Sequence, residues 1–300
     1  MSRRKAPPWA PTSLPQMRRQ WCQALGEGLD TLRERAAAGG ATGAAVADLV
    51  PQAERDLDGI AKSTLFWVER NMVDLASGAA VSLPEWSPAA AIPQEYGLLC
   101  WAKPPAVFHW PVPGRDERLP MPVDAMTWGI HNGQVGVSCA FRTDRIADQL
   151  GAALSRFPLL SHTVGVWDLE EPVSHRLDDG TVSPLSVLGT AWLLMEQRNI
   201  TQTRQIHSGP KQSDAAAPPD GEAVSIIELR RTRAGTEDGA RNSGEKRKIN
   251  KRFLVSGHWR QVACGKGRTL RKPRYINAFL KGPDNAPLMD PSDRVYLWRR

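Results

Sequence analysis

His258, Trp259 and Arg260 stand in a row within RFLVSGHWRQVACGKGRTLRKPRYINAFLKGP, residues 252–283, among many cations. Cleavage of RNA by its own 2′-hydroxyl needs a proton acceptor, a proton donor and cations around the pentavalent phosphate. His258 with Arg260, Arg274, Tyr275 and Lys281 has the residue types for that work without a metal, which makes His258 the candidate catalytic group. The same stretch also suits binding without cleavage. Trp259, Tyr275 and Phe279 are stacking platforms for unpaired bases if exposed, while Arg252, Arg260, Lys266, Arg268, Arg271, Lys272, Arg274 and Lys281 can track a phosphate backbone. Three aromatics at alternating positions of a small sheet are equally the ingredients of its core.

Those residues must be held by strands. KRFLVSGHWRQVA reads as one strand, followed by a turn near Cys264 to Gly267 and an answering strand, RKPRYINAFL, from Arg271 to Leu280. Side chains alternate faces along a strand. Leu254, Ser256, His258, Arg260 and Val262 therefore share one side, and Phe253, Val255, Trp259 and Gln261 the other. Which set on the answering strand joins His258 depends on register, which alternation alone does not fix. AVSIIELRR (Ala223 to Arg231) and DRVYLWRR (Asp293 to Arg300) read as two more strands of the same unit.

Charge is sharply divided along the chain. Residues 241–300 hold 16 Lys+Arg against 4 Asp+Glu, a net of +12, whereas the first 240 hold 23 against 28, a net of −5. One-sided charge of this kind suits a polyanion, because each phosphate contact releases counterions. A basic face kept only for solubility is the plainer alternative.

Before this unit the pattern is mixed. Met17, Trp21, Leu25, Leu29, Leu32 and Ala36 recur at helical spacing up to the Gly39-Gly40 pair. A second helix is expected from about Pro51 to Leu75, and two more at Asp144 to Phe157 and Pro184 to Asn199. Tyr96 to Ala102 and Ala106 to Val112 read as strands, and Asn132-Gly133 between alternating apolar runs predicts a type I′ hairpin. Trp67, Trp101, Trp128, Trp167 and Trp192 lie in apolar segments and are expected in the core. His109, His131, His162 and His175 have no metal-ligand spacing, and Cys22, Cys100, Cys139 and Cys264 form neither a zinc motif nor a disulfide framework. No cofactor is indicated, and the cysteines read as thiols of a reducing compartment.

The resulting expectation is an α+β protein: a helix- and strand-containing N-terminal body with a small basic all-β C-terminal unit. Its divisions are a basic flexible arm over 1–14, an α+β body over 15–206, a linker over 207–222 and a basic β domain over 223–300 with a disordered insertion at about 232–250. No apolar run reaches the roughly 18 residues of a membrane span. The basic start lacks an apolar signal core, so a cytoplasmic protein without membrane association is expected.

VSIIELRR, GHWRQVACGKGRTLRKPRYINAFLKGP, APL and RVYLWRR together resemble the C-terminal box of a group of actinobacterial and phage proteins with a GHWR-type hairpin and a following KGP. They are more distantly similar to the ending of the plasmid-borne type V anti-CRISPR-like family. The resemblance covers about the last 80 residues and implies a mobile-element protein acting on a transcript. Arg260 stands where the second family has a His, so a shared two-histidine chemistry is not implied. RNA or another single-stranded nucleic acid is thus the expected partner, ahead of DNA because no helix in the basic part could enter a major groove. A metal-independent ribonuclease is one alternative. The other is an interaction or anti-defence protein docking on a ribosome or host complex.

Overall fold

The computed structural model describes residues 9–111, 118–145, 156–174, 182–207, 223–230, 252–268, 270–283 and 287. The class is α+β. The chain divides into two compact units, Met1–Arg230 and Arg231–Arg300.

The first unit opens with α1 (Leu14–Ala37), which carries a proline in its first turn and buries Leu14, Met17, Trp21, Ala24 and Leu29 on one stripe. Gly39 and Gly40 end it, both at positive φ. The expected flexible arm stops short of residue 14. Trp9 Nε1–H donates to the Trp101 carbonyl at 2.8 Å and its ring lies 5.7 Å from that of Trp67, so residues 9–14 are packed on the body; residues 1–8 fall outside the described set.

The single helix expected from Pro51 to Leu75 is three elements. After α2 (Gly40–Ala47), α3 (Val50–Lys62) ends at Ser63, β1 (Thr64–Val68) follows, and α4 (Arg70–Ala80) resumes. β1 is a central strand buried on both faces, so its continuous apolar run TLFWV carries no alternation to separate it from a helix.

Around β1 a seven-stranded mixed sheet forms from β2 (Tyr96–Trp101), β5 (Ala125–His131), β6 (Gln134–Arg142), β7 (Leu159–Asp168), β8 (Thr201–His207) and β9 (Ala223–Leu229), in the order β7-β6-β5-β2-β1-β9-β8. β1 runs parallel to both β2 and β9. The other pairings are antiparallel. A separate antiparallel pair, β3 (Val107–Pro111) with β4 (Arg118–Pro122), sets Phe108 and Trp110 against His162 with ring centroids 4.9 and 4.8 Å away. The Asn132-Gly133 turn joins β5 to β6 with φ of 50° and 76°, as a type I′ turn requires.

β9 moves the expected domain boundary. In sequence AVSIIEL reads as part of the basic unit, but Val224 and Ile226 are buried beside β1 in the body's sheet, and the division falls after Arg230. Its apolar content suits a place between β1 and β8 in the sheet. The charge division survives this shift. Residues 231–300 hold 18 Lys+Arg against 6 Asp+Glu, again a net of +12.

Leu14, Met17 and Trp21 of α1 and Ile60 of α3 cover one face of the sheet, over Leu65, Trp67, Leu98 and Cys100. On the other face Phe66 stacks on Trp128 at 5.7 Å, and Trp128 meets Trp192 of α5 (Pro184–Met195), a helix buried almost all round. Trp67, Trp101, Trp128 and Trp192 are thus core residues, as expected; Trp167 is half-buried. Their N–H groups fare unequally: Trp128 donates to the Gln94 carbonyl at 2.9 Å, while Trp67, Trp101 and Trp192 find no acceptor among the described residues. Among the described residues no helix is long and apolar enough to cross a membrane. Most of the helix expected at Asp144 to Phe157, the linker expected at 207–222 apart from His207, which ends β8, the insertion at 232–250 and the strand at Asp293 to Arg300 lie outside the described residues.

Candidate nucleic-acid interface

In the second unit β10 (Phe253–Val255) pairs antiparallel with β13 (Phe279–Lys281), and β11 (His258–Cys264) with β12 (Leu270–Ile276). The pairs are nested, so two interrupted arms fold back on each other. Each arm that reads as one strand is broken once, at Ser256-Gly257 and at Asn277-Ala278. Gly265, Gly267 and Arg268, all at positive φ, close the turn between β11 and β12 around Lys266–Arg268.

Gly257 explains the first break. A Cβ there would lie 2.1 Å from the Tyr275 hydroxyl oxygen and 2.8 Å from Cζ, so only glycine admits the phenol at this point. Tyr275 is correspondingly buried, and its ring meets Trp259 edge-on at 5.2 Å. Burial pushes its phenol up from the ordinary value.

The register answers what alternation left open. His258 faces Ile276, Arg260 faces Arg274 and Val262 faces Lys272; on the reverse side Trp259 faces Tyr275, Gln261 faces Pro273 and Ala263 faces Arg271. His258, Arg260, Lys272 and Arg274 therefore share one face. Tyr275 belongs to the other. It is neither a partner for His258 in proton transfer nor an exposed platform for a base; with Trp259 it forms the small packed side of the ribbon.

His258 is exposed, and its Nδ1 lies 3.1 Å from the Ser256 carbonyl, which fixes the ring and leaves Nε2 pointing away from that contact. Arg260 and Arg274 are exposed, and among the described residues neither forms an ion pair. Lys272 is half-buried on the same face, Arg268 is exposed in the turn beside Lys266, and Arg271 is exposed on the reverse side. Arg252 and Lys281 belong to the outer arms; the Arg252 amide donates to the Pro287 carbonyl at 2.8 Å. Phe279 is 41% exposed, more open than a core residue of this unit. The feature missed from sequence is Gly257, whose signal was a glycine inside a strand pattern.

Chemically, the face offers permanent cations, one imidazole and no carboxylate among its described members. It suits phosphate. His258 is the only histidine between residues 231 and 300, so the unit supplies one imidazole and not two. No protein-family model and no curated protein sequence matches the chain.

Proposed function

We propose that this chain binds nucleic acid, RNA ahead of DNA, through the cationic face of β11 and β12, as an accessory or regulatory protein of a phage or mobile element working in the cytoplasm. One observation carries the reading: two exposed arginines face each other across the ladder without a carboxylate between them. Like charges directly opposite destabilise a strand pair. A polyanion relieves that repulsion and gains counterion release as well.

A two-stranded ribbon also fits the major groove of B-DNA. The preference for RNA rests on the transcript-directed resemblance of the C-terminal box, and duplex DNA is the natural competitor in any assay. The ribonuclease reading keeps one supporting observation, that His258 lies on the cationic face; a ribosome or host complex would be reached through the same cations. The test is titration of the full-length chain with single-stranded RNA and duplex DNA across a salt series, beside Arg260→Ala/Arg274→Ala. RNA binding that weakens in the double variant supports the proposal. Binding that ignores both salt and variant rejects it.

A further inference from the structure

The first unit has a cleft that the basic ribbon does not explain. Where α1 and α3 leave the sheet uncovered, a cavity of about 580 Å³ opens between α3 and the outer strands β5, β6 and β7. That is within the usual span for small-molecule sites.

Its wall is built of flat polar groups. On α3, Arg55 Nη2–H donates to Gln52 Oε1 at 2.8 Å, and Gln52 Nε2–H donates to Asp56 Oδ1 at 2.7 Å. This relay fixes the Gln52 amide and aims the carboxylate's remaining acceptor capacity elsewhere. Across the cleft stand His131, held edge-on against Tyr96 at 5.6 Å, then Asn132 and Gln134 at the hairpin end. Asp56 is open at the cleft rim, yet the desolvation it suffers pushes its carboxyl up, against the Gln52 hydrogen bond and the charges of Arg55 and His131.

The floor is a patch of short side chains. Thr127, Ser138 and Thr163 lie side by side across three strands, with Ser138 Oγ 3.4 Å from Thr163 Oγ1. Beside them Gly129 faces Gly136. A Cβ on Gly129 would press on the Tyr96 ring at 3.1 Å, so packing accounts for that glycine. Gly136 differs. Among the described residues nothing lies within 4 Å of a Cβ built there, and its φ is not positive, so neither close contact nor a left-handed backbone calls for glycine. The β6–β7 register shifts just beyond it, between Val137 and Ser138; apart from such an irregularity, a strand glycine marks a point where something external comes close to the sheet.

We infer that this cleft binds a neutral, hydroxyl-rich ring, a mono- or disaccharide, lying flat over Gly136. Planar amide, carboxylate and guanidinium groups offer paired contacts matched to neighbouring hydroxyls, and the floor adds hydroxyls of its own. Among the lining side chains Arg55 and Asp56 offset each other, so a net charge on the ligand has no counterpart. Trp128 borders the cleft, but its ring packs against Phe66 and Trp192 on the opposite face, and the other aromatic ring of the lining, His131, is engaged edge-on with Tyr96.

The experiment titrates the full-length protein, by amide chemical shifts, with glucose, galactose, mannose and maltose, and separately with guanosine and uridine. The expected result is saturable shifts at β5–β7 with at least one saccharide, weakened about tenfold or more by Gly136→Val and by Asp56→Ala. Gly136→Val should leave the melting temperature unchanged or raise it, because the valine enters open space in a strand. A fall in melting temperature would mean that Gly136 is structural, and would overturn the inference. So would nucleosides binding in place of saccharides, no saccharide saturating the cleft, or saccharide binding indifferent to both substitutions.

Discussion

Arg260 and Arg274 stand directly opposite each other across the β11–β12 ladder, both exposed, on the same face as His258. Opposed cations cost a strand pair a few tenths to about 1 kcal/mol, so the arrangement is poor for the isolated ribbon. Arg260→Glu turns the repulsion into an ion pair with Arg274. The variant should slow amide hydrogen exchange across residues 258–264 while its affinity for RNA falls, a loss of function accompanied by a gain in local stability.

Gly257 has the opposite role, since it serves the ribbon and not the ligand. Gly257→Ala drives a methyl into the Tyr275 phenol and should loosen the ribbon by about 1–3 kcal/mol, the range for overpacking. Faster amide exchange at residues 258–264 and 270–276, with the melting of the first unit unchanged, is the expected pattern. Gly257→Ala/Tyr275→Phe should recover part of the loss, because the closest clash is with the hydroxyl oxygen.

His258→Ala separates grip from cleavage. A neutral imidazole adds little attraction beside fixed cations, so affinity should change less than about threefold, and wild-type protein should leave single-stranded RNA intact over hours without metal. The check is gel analysis of end-labelled RNA. Products that form with wild type and vanish with His258→Ala would favour the ribonuclease.

The buried thiols give the body a defined alkaline limit. Burial pushes Cys139 from its ordinary 9.0 up to about 12, and burial with the nearby Asp124 carboxylate holds Cys100 well above the same value. In both, the folded state keeps a proton that the unfolded chain releases. Their contribution is therefore fully present below pH 9 and is lost as pH rises from 9 towards 12, at a limiting slope of about 1.4 kcal/mol per pH unit for each thiol. Denaturant titrations at pH 8, 9 and 10 should show that decline. Cys139→Ala should flatten it.

How far the sequence foretold this architecture depended on local signals. The Asn132-Gly133 hairpin announces itself through turn chemistry and α1 through periodicity, while α5 is legible as a 12-residue apolar run opening on Pro184, too long for a strand. β1 did not, because a strand buried on both faces has no alternation and joins α3 to α4 in one apolar reading. β9 reads as a strand, but its pairing with β1 joins residues more than a hundred positions apart, and nothing local marks it as part of the body's sheet. At the interface, the cations and the faces of β11 were legible, whereas the partner of each residue was not: a one-residue slip would have placed Tyr275 beside His258 and Arg274 behind it.

We propose that nucleic acid is held by the cationic face of β11–β12. The most direct measurement is the salt dependence of single-stranded RNA binding to the full-length protein and to Arg260→Ala/Arg274→Ala, by fluorescence anisotropy. Each phosphate contact contributes about 0.7 to the slope of log affinity against log salt for single strands, so loss of two contacts should lower the slope by about 1.4 and the affinity with it. An unchanged slope and affinity in the double variant, with the ribbon still folded by amide exchange, would contradict the account.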